Sequence, residues 1–203
     1  VKIAGPLIDG KFNVYDGSSP TFPLLSIQNN DLEQLEKNAL YLVEKKVDFL
    51  KAYEMLSHEQ FKLLAGIAKK HNLKLTGHVP LSMNVIDASN MGLNSIEHLR
   101  NIELSMTNKS EGLFQERKVL LKNEANIKGS ALRTMLHQKQ RMKSIYNLDS
   151  SKIKQVVEVL VKNDTWQIPT MRLYSNFALK KYKNPEYLSL LEVLPLAKKE
   201  EWI

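Results

Sequence analysis

Between residues 29 and 100 the sequence switches repeatedly between helical and strand-like hydrophobic spacing, and this rhythm constrains the fold more than any other feature. "NNDLEQLEKNALYLVEKKV" (29–47) opens on an Asn/Asp cap, and Leu32, Leu35, Ala39, Leu42 and Val43 then recur along one helical face. "VDFLKAY" (47–53) is a short, mostly apolar run of strand length. "SHEQFKLLAGIAKKH" (57–71) begins with a capping box, Ser57 with Gln60, and places Phe61, Leu64, Ala65 and Ala68 on one face. "LKLTGHV" (73–79) returns to strand spacing, "MNVIDASNMG" (83–92) predicts a short helix ended by Gly92, and "NSIEHL" (94–99) predicts a further strand. Strands alternating with helices at this interval predict βαβ units, parallel strands apolar on both faces, and helices outside.

The flanks extend the pattern. "VKIAGPLI" (1–8) reads as the end of a strand, followed by a Gly/Ser/Pro-rich loop to about residue 28. Residues 101–149 are polar, basic and helix-prone, and are expected to form a helical insertion after the third strand. "DSSKIKQVVEVLVKND" (149–164) predicts an amphipathic helix with Ile153, Val156, Val157, Leu160 and Val161 as its stripe, and "TWQIPTM" (165–171) a further strand. The tail 172–203 reads as helical, broken at Pro185 and Pro195. The five expected strands suit either a doubly wound sheet or part of an eight-stranded barrel. The expected architecture is a single α/β domain over 1–203, a partial TIM-type (β/α) barrel with parallel strands and outer helices. Its parts are a strand exit and loop (1–28), βα units (29–100), the insertion (101–149), and a final βα unit with a helical tail (150–203).

Composition limits the function classes. The chain has 203 residues, 43% hydrophobic and 25% charged, as in an ordinary globular protein. No apolar run approaches the roughly 18–20 residues of a membrane span. The N-terminal "VKIAGPLIDG" lacks the basic and apolar regions of a secretory signal, and Val1 is not an initiator methionine, so an upstream segment is expected. With no Cys, thiolate metal sites and disulfides are excluded. The formal charge of +7 raises nucleic-acid binding, but the only sustained basic stretch, 115–143, reads as a solvated helical face.

In parallel α/β folds, functional groups collect at the C-terminal ends of strands. Lys51, His78 and His98 each fall there. A lysine can be carbamylated to an anionic carboxylate that bridges metals, and two neutral imidazoles are ligands suited to zinc. Against this stand two ordinary roles, a hydrogen-bonded structural His and a Lys that reaches out to solvent.

The run "VDFLKAY…LSHEQFKLLAGIAKKHNLKLTGHVP…DASNMGLNSIEHL" closely resembles the amidohydrolase superfamily, in its imidazolonepropionase-like and prolidase-like branch. "NDTWQIPTM" resembles that branch's seventh strand and "GPLIDG" the exit from its third, so the chain resembles about strands 3–7 of the barrel. The resemblance implies a metal-dependent hydrolase of C–N bonds in amides, cyclic amides or Xaa-Pro dipeptides. It implies one or two divalent metals, zinc being the expected ion. Lys51 matches the carboxylated bridging lysine, His78 and His98 two metal ligands, and Tyr53 a substrate-pocket residue. Glu97, alternating to the other side of its strand from His98, is expected to be structural or to support a ligand from behind. His58, His71 and His137 are expected at the surface.

The sequence contains no His-x-His pair and ends before an eighth strand with its aspartate. The chain is therefore expected to be a truncated middle of such a barrel, without catalysis of its own, and to self-associate through its open edges. Two other functions compete. One is a non-catalytic barrel domain that binds a small molecule or a protein, and the other is a basic nucleic-acid-binding domain.

Overall fold

The computed structural model describes residues 1–178 and 189–202. The chain divides into two compact units, Val1–Ile168 and Pro169–Ile203.

The first unit is built on a parallel sheet of β1 (Leu7–Asp9), β4 (Ser26–Gln28), β5 (Phe49–Ala52), β6 (Lys74–Gly77), β7 (Leu93–Glu97) and β8 (Trp166–Ile168). Across the sheet these run in the order β4-β1-β5-β6-β7-β8. Every pairing within it is parallel, with registers such as Lys51 opposite Thr76 and Ile96 opposite Gln167. This is the expected α/β fold, a barrel-like run of strands in chain order from β1 through β5 to β8. The run stays open, with β4 and β8 at its edges among the described residues.

The helices form where the spacing placed them. α1 (Leu32–Glu44) starts at Asp31, whose side chain accepts from the Gln34 N–H, and α2 (His58–Lys70) starts at a complete capping box between Ser57 and Gln60. With α3 (Val85–Asn90) and α6 (Ser150–Lys162) they pack on the sheet, in one core that joins Leu35, Leu42, Phe61, Leu64, Ala88 and Val156 to Leu50, Leu75 and Ile96. Two stripes are narrower than expected. Leu32 is exposed on α1, as are Val157 and Val161 on α6, where only Val156 and Leu160 are buried. A helix packed on a sheet buries only the band that faces it, here narrower than its apolar periodicity offers.

Residues 9–28, expected as a loop, instead hold the antiparallel hairpin β2 (Asp16–Ser19) and β3 (Phe22–Leu24), followed by β4. Pro20 and Pro23 hid these strands. The hairpin lies outside the main sheet, where proline costs no interior ladder bond.

The insertion forms as helices, a 3-10 turn at Glu103–Met106, α4 (Ser110–Leu120) and α5 (Gly129–Ile145). It packs over the strand ends through Leu132 and Leu136 against Leu81 and Met55. At Gly129 a Cβ would lie 1.6 Å from the Phe12 carbonyl oxygen, so only glycine lets α5 start against the loop that follows β1. The basic stretch is thus not simply a solvated face: Arg117 is 1% exposed, and its Nε donates to Gln140 at 2.7 Å.

The second unit contains α7 (Met171–Ala178) and α8 (Leu196–Trp202). The expected break at Pro185 lies outside the described residues. Among the described residues no helix is long and apolar enough to cross a membrane.

Candidate metal centre

His78 is delivered by a backbone position that requires glycine. Gly77 ends β6 at φ +123°, and a Cβ there would stand 2.1 Å from the Ala52 carbonyl oxygen. That oxygen accepts the His78 N–H at 3.1 Å, tying the exit of β6 to the end of β5. The imidazole lies against Tyr53 with ring centres 4.6 Å apart, and its Nδ1 lies 2.7 Å from Oε1 of Glu54. Glu54 has no exposed surface. An ionised carboxylate only accepts, so Nδ1 carries the proton, and Nε2 is left to bond elsewhere.

At the end of β7 the backbone turns left-handed, with φ +58° at His98 and +53° at Leu99. Side chains alternate only while a strand stays extended, so this turn brings Glu97 and His98 to the same side. The expectation that Glu97 faces away is therefore corrected. Its Oε2 lies 2.8 Å from Nζ of Lys51 and 3.9 Å from Nε2 of His98. The His98 N–H donates to the Ile168 carbonyl at 2.8 Å, fixing the turn to β8, and its ring meets that of His78 edge-on at 5.2 Å. One ligand atom from each of His78, Glu97 and His98 lies within 4.8 Å of the others. Lys51, His78 and His98 share one mouth at the ends of three adjacent strands, and Glu97 joins them.

A second tier surrounds this cluster. Tyr53 is buried, and its hydroxyl accepts from Nη1 of Arg133 at 3.3 Å. Burial first, then the Glu54 charge, holds its phenol well above the ordinary range. His137, expected at the surface, instead comes down from α5, with Nε2 3.1 Å from Oδ1 of Asn101 and 3.5 Å from Oε2 of Glu54. Desolvation lowers its pKa to about 4, against the pull of Glu54. Basic sequence context concealed it, because helical spacing shows which residues share a face and not what that face meets. Of the other histidines, His71 is exposed at the C-terminus of α2 and His58 half-buried at its start.

Two carboxyl groups are pulled in opposite directions here. For Glu54, burial acts to raise the pKa, but the His78 hydrogen bond and the His137 and Arg133 charges prevail and bring it to about 2. Asp9 ends β1 fully buried and receives N–H groups from Gly10, Val14 and Met55 at 3.0, 2.9 and 2.7 Å. Burial still lifts it to about 7. Glu54 and Asp9 escaped the sequence reading; the available signal was an acid one or two residues past the apolar end of a strand. His98 is held below the ordinary imidazole range by partial burial and then by His78, against the opposite influence of Glu97.

Two imidazoles and a carboxylate within 4.8 Å make a donor set that fits a divalent zinc-type ion. Glu54 behind His78 supplies the carboxylate–histidine support typical of such ligands. A cavity of about 460 Å³ beside the cluster is lined by Glu54, Leu56, Ser57, Gln60, Ser82 and Leu132, among others, and not by Lys51, His78 or His98.

No family model matches the chain, and no curated protein matches it in sequence. Among solved structures it is similar to a bottromycin amidohydrolase, at 20% identity and TM-score 0.40, over 61% of this chain and 25% of that one. It is similar to A. niger ochratoxinase at 15% identity and TM-score 0.39, over 70% and 43% of the two chains. An uncharacterised protein aligns at 11% identity and TM-score 0.43, over 81% and 46%. The chain spans less than half the length of each. Likenesses at this level carry no argument about the chemistry, which rests on the residues themselves.

Proposed function

We propose that this chain carries part of the metal centre of an amidohydrolase-type enzyme that hydrolyses C–N bonds in an amide, a cyclic amide or an Xaa-Pro dipeptide. The observation that supports this most is the convergence of His78, Glu97 and His98 at one mouth, with Lys51 on the adjoining strand. Zinc is the ion best suited to two neutral imidazoles and one carboxylate. When bound, such an ion supplies Lewis acidity toward a carbonyl oxygen and acidifies water.

The chain's own groups do the positioning. Glu54 fixes the His78 ring, the left-handed turn at His98 aims two donors at one point, and Tyr53 with Arg133 offers a hydroxyl and a guanidinium to a substrate. None of the acids here is placed to carry a proton to a leaving nitrogen, since Glu97 is bound to Lys51, Glu54 is buried against His78, and buried Asp9 is taken up by the N–H groups of Gly10, Val14 and Met55. On that ground the isolated chain holds an ion without turnover, and the complete enzyme supplies the proton carrier and further ligands.

The test is the protein of the entire reading frame, assayed with zinc, manganese or cobalt and bicarbonate against Xaa-Pro dipeptides and cyclic amides. Metal-dependent turnover that falls by about 100-fold or more in His78→Ala and His98→Ala is expected, the scale of loss when a metal's support is removed. Absence of metal-dependent turnover overturns the proposal. The present chain alone should be silent in the same assay.

A further inference from the structure

We propose that Arg133, carried to the mouth by the insertion helix α5, holds a carboxylate of the substrate, so that the enzyme selects acids such as a free dipeptide over neutral amides. This rests on the hydrolase reading above, narrows its substrate class, and leaves the ligands of the ion as they stand.

Helical register brings Arg133 there. Leu132 and Leu136, one turn apart on α5, are buried against Leu81 and Met55 and fix which side of the helix faces down. Arg133 and His137 share the next stripe round, so both meet the strand ends, Arg133 at Tyr53 and His137 at Asn101. Gly129, pressed against the Phe12 carbonyl, holds the start of α5 in that register.

The guanidinium arrives with its donors largely unspent. Arginine presents its N–H groups in a planar fork that matches a carboxylate. Among the described residues the Arg133 side chain makes one hydrogen bond, from Nη1 to the Tyr53 hydroxyl at a long 3.3 Å. The nearest carboxylate oxygen among them, Oε1 of Glu54, stands 3.9 Å from Nη1 and is already engaged by His78 at 2.7 Å. The Phe22 ring, its centre 5.8 Å away, supports the group from one side. Yet the side chain is only 15% exposed. A cation so far withdrawn from water is stabilised when its fork closes on an anion, and a substrate carboxylate supplies one.

The neighbouring groups suit that guest. Burial holds the Tyr53 phenol well above its ordinary range, so the hydroxyl stays protonated beside the fork. The Tyr53 ring lies 4.6 Å from that of His78, which sets the fork one side chain away from the metal mouth. An Xaa-Pro dipeptide carries its carboxylate on the carbon attached to the scissile nitrogen, close enough to span that step. A neutral cyclic amide brings no charge to the fork.

The field favours an anion in each state of the centre. Arg133 and Arg100, whose charges both act on His137, offset Glu54 and Glu97. The balance then lies with Lys51 and the ion. As an ammonium, Lys51 leaves the mouth positive before any ion binds. Carboxylated and bridging, it adds one negative charge, which the two positive charges of a single divalent ion outweigh. Either way the mouth is positive and draws acids.

The protein of the entire reading frame, loaded with zinc, is given an Xaa-Pro dipeptide and the same dipeptide with its C-terminus as the neutral amide. The wild type should favour the acid roughly 10–100-fold in kcat/KM, the influence of hydrogen bonds to a charged group. In Arg133→Met that preference should collapse by a similar factor, with KM for the acid rising more than kcat falls. Arg133→Lys, which keeps the charge and loses the fork, should fall between the two. A residue that merely supports the fold lowers turnover of both compounds together and leaves their ratio unchanged.

Equal handling of acid and amide by the wild type, or a preference that survives in Arg133→Met, would overturn this proposal and leave metal-dependent hydrolysis standing. The first of these outcomes needs no variant, so misfolding of Arg133→Met cannot hide it. No turnover of either compound, nor of cyclic amides, would overturn the hydrolase reading and this proposal with it.

Discussion

Oε1 of Glu54 lies 2.7 Å from Nδ1 of His78, and the carboxylate has no exposed surface. This pair is the pivot of the site, because it fixes which nitrogen of His78 faces the mouth. Glu54 also faces Arg133 and His137, at 3.9 and 3.5 Å, so its removal strands three partners at once. Glu54→Ala should cost about 3–5 kcal/mol, the usual loss when one member of a buried ion pair is deleted. Urea unfolding of the variant measures it, and a loss below about 1 kcal/mol would mean that water replaces the carboxylate.

Acid should weaken the fold through His137. Its folded pKa is lowered from 6.5 to about 4, so the unfolded chain takes up a proton between those values that the folded chain does not. Its contribution is complete above pH 6.5 and is lost as the pH falls toward 4. Glu54, lowered from 4.5 to about 2, adds a loss of the same sign further down. Asp9 works the other way: raised from 3.8 to about 7, it favours the folded state below 3.8 and loses that contribution as the pH rises to 7. Between pH 6.5 and 4 the two contributions nearly cancel in the wild type, so in His137→Gln the Asp9 slope should stand alone and stability should rise as the pH falls. Unfolding midpoints over that range check it, and a pH profile the same as that of the wild type would contradict the account.

Gly77→Ala should be severe for its size. The added methyl meets the Ala52 carbonyl oxygen at 2.1 Å, and φ of +123° is hostile to any side chain. A loss of more than about 2 kcal/mol is expected, since backbone strain of this kind alone costs 1–3 kcal/mol. Thermal or urea unfolding reads it directly.

The edge strand β8 leaves Trp166 and Ile168 exposed, 66% and 46%. Unpaired apolar edges recruit other chains, so light scattering should show mass rising with concentration. Trp166→Lys should suppress that rise. A monomer at every concentration would argue that the edge is already protected.

The βα rhythm was legible because helices and strands bury their faces at different periods, and the strands around Lys51, His78 and His98 fall within a residue or two of their expected places. The hairpin at 16–24 was not legible, because prolines mark loops and outlying strands alike. At the site, the strand-end logic located Lys51, His78 and His98. It missed Glu97 because alternation holds only while the backbone stays extended, and nothing in "SIEHL" announces a left-handed His98. Glu54 and His137 were hidden for another reason: their meeting depends on an insertion helix folding back over the strand ends, a tertiary event without a local signature.

The most direct test of the account is a cobalt(II) titration of this chain followed by visible absorption. Ligand-field bands should grow and saturate at about one cobalt per chain, as three protein donors imply. They should be lost in both His78→Ala and His98→Ala. Bands that never appear, or that survive both substitutions unchanged, would contradict a metal centre at the ends of β6 and β7.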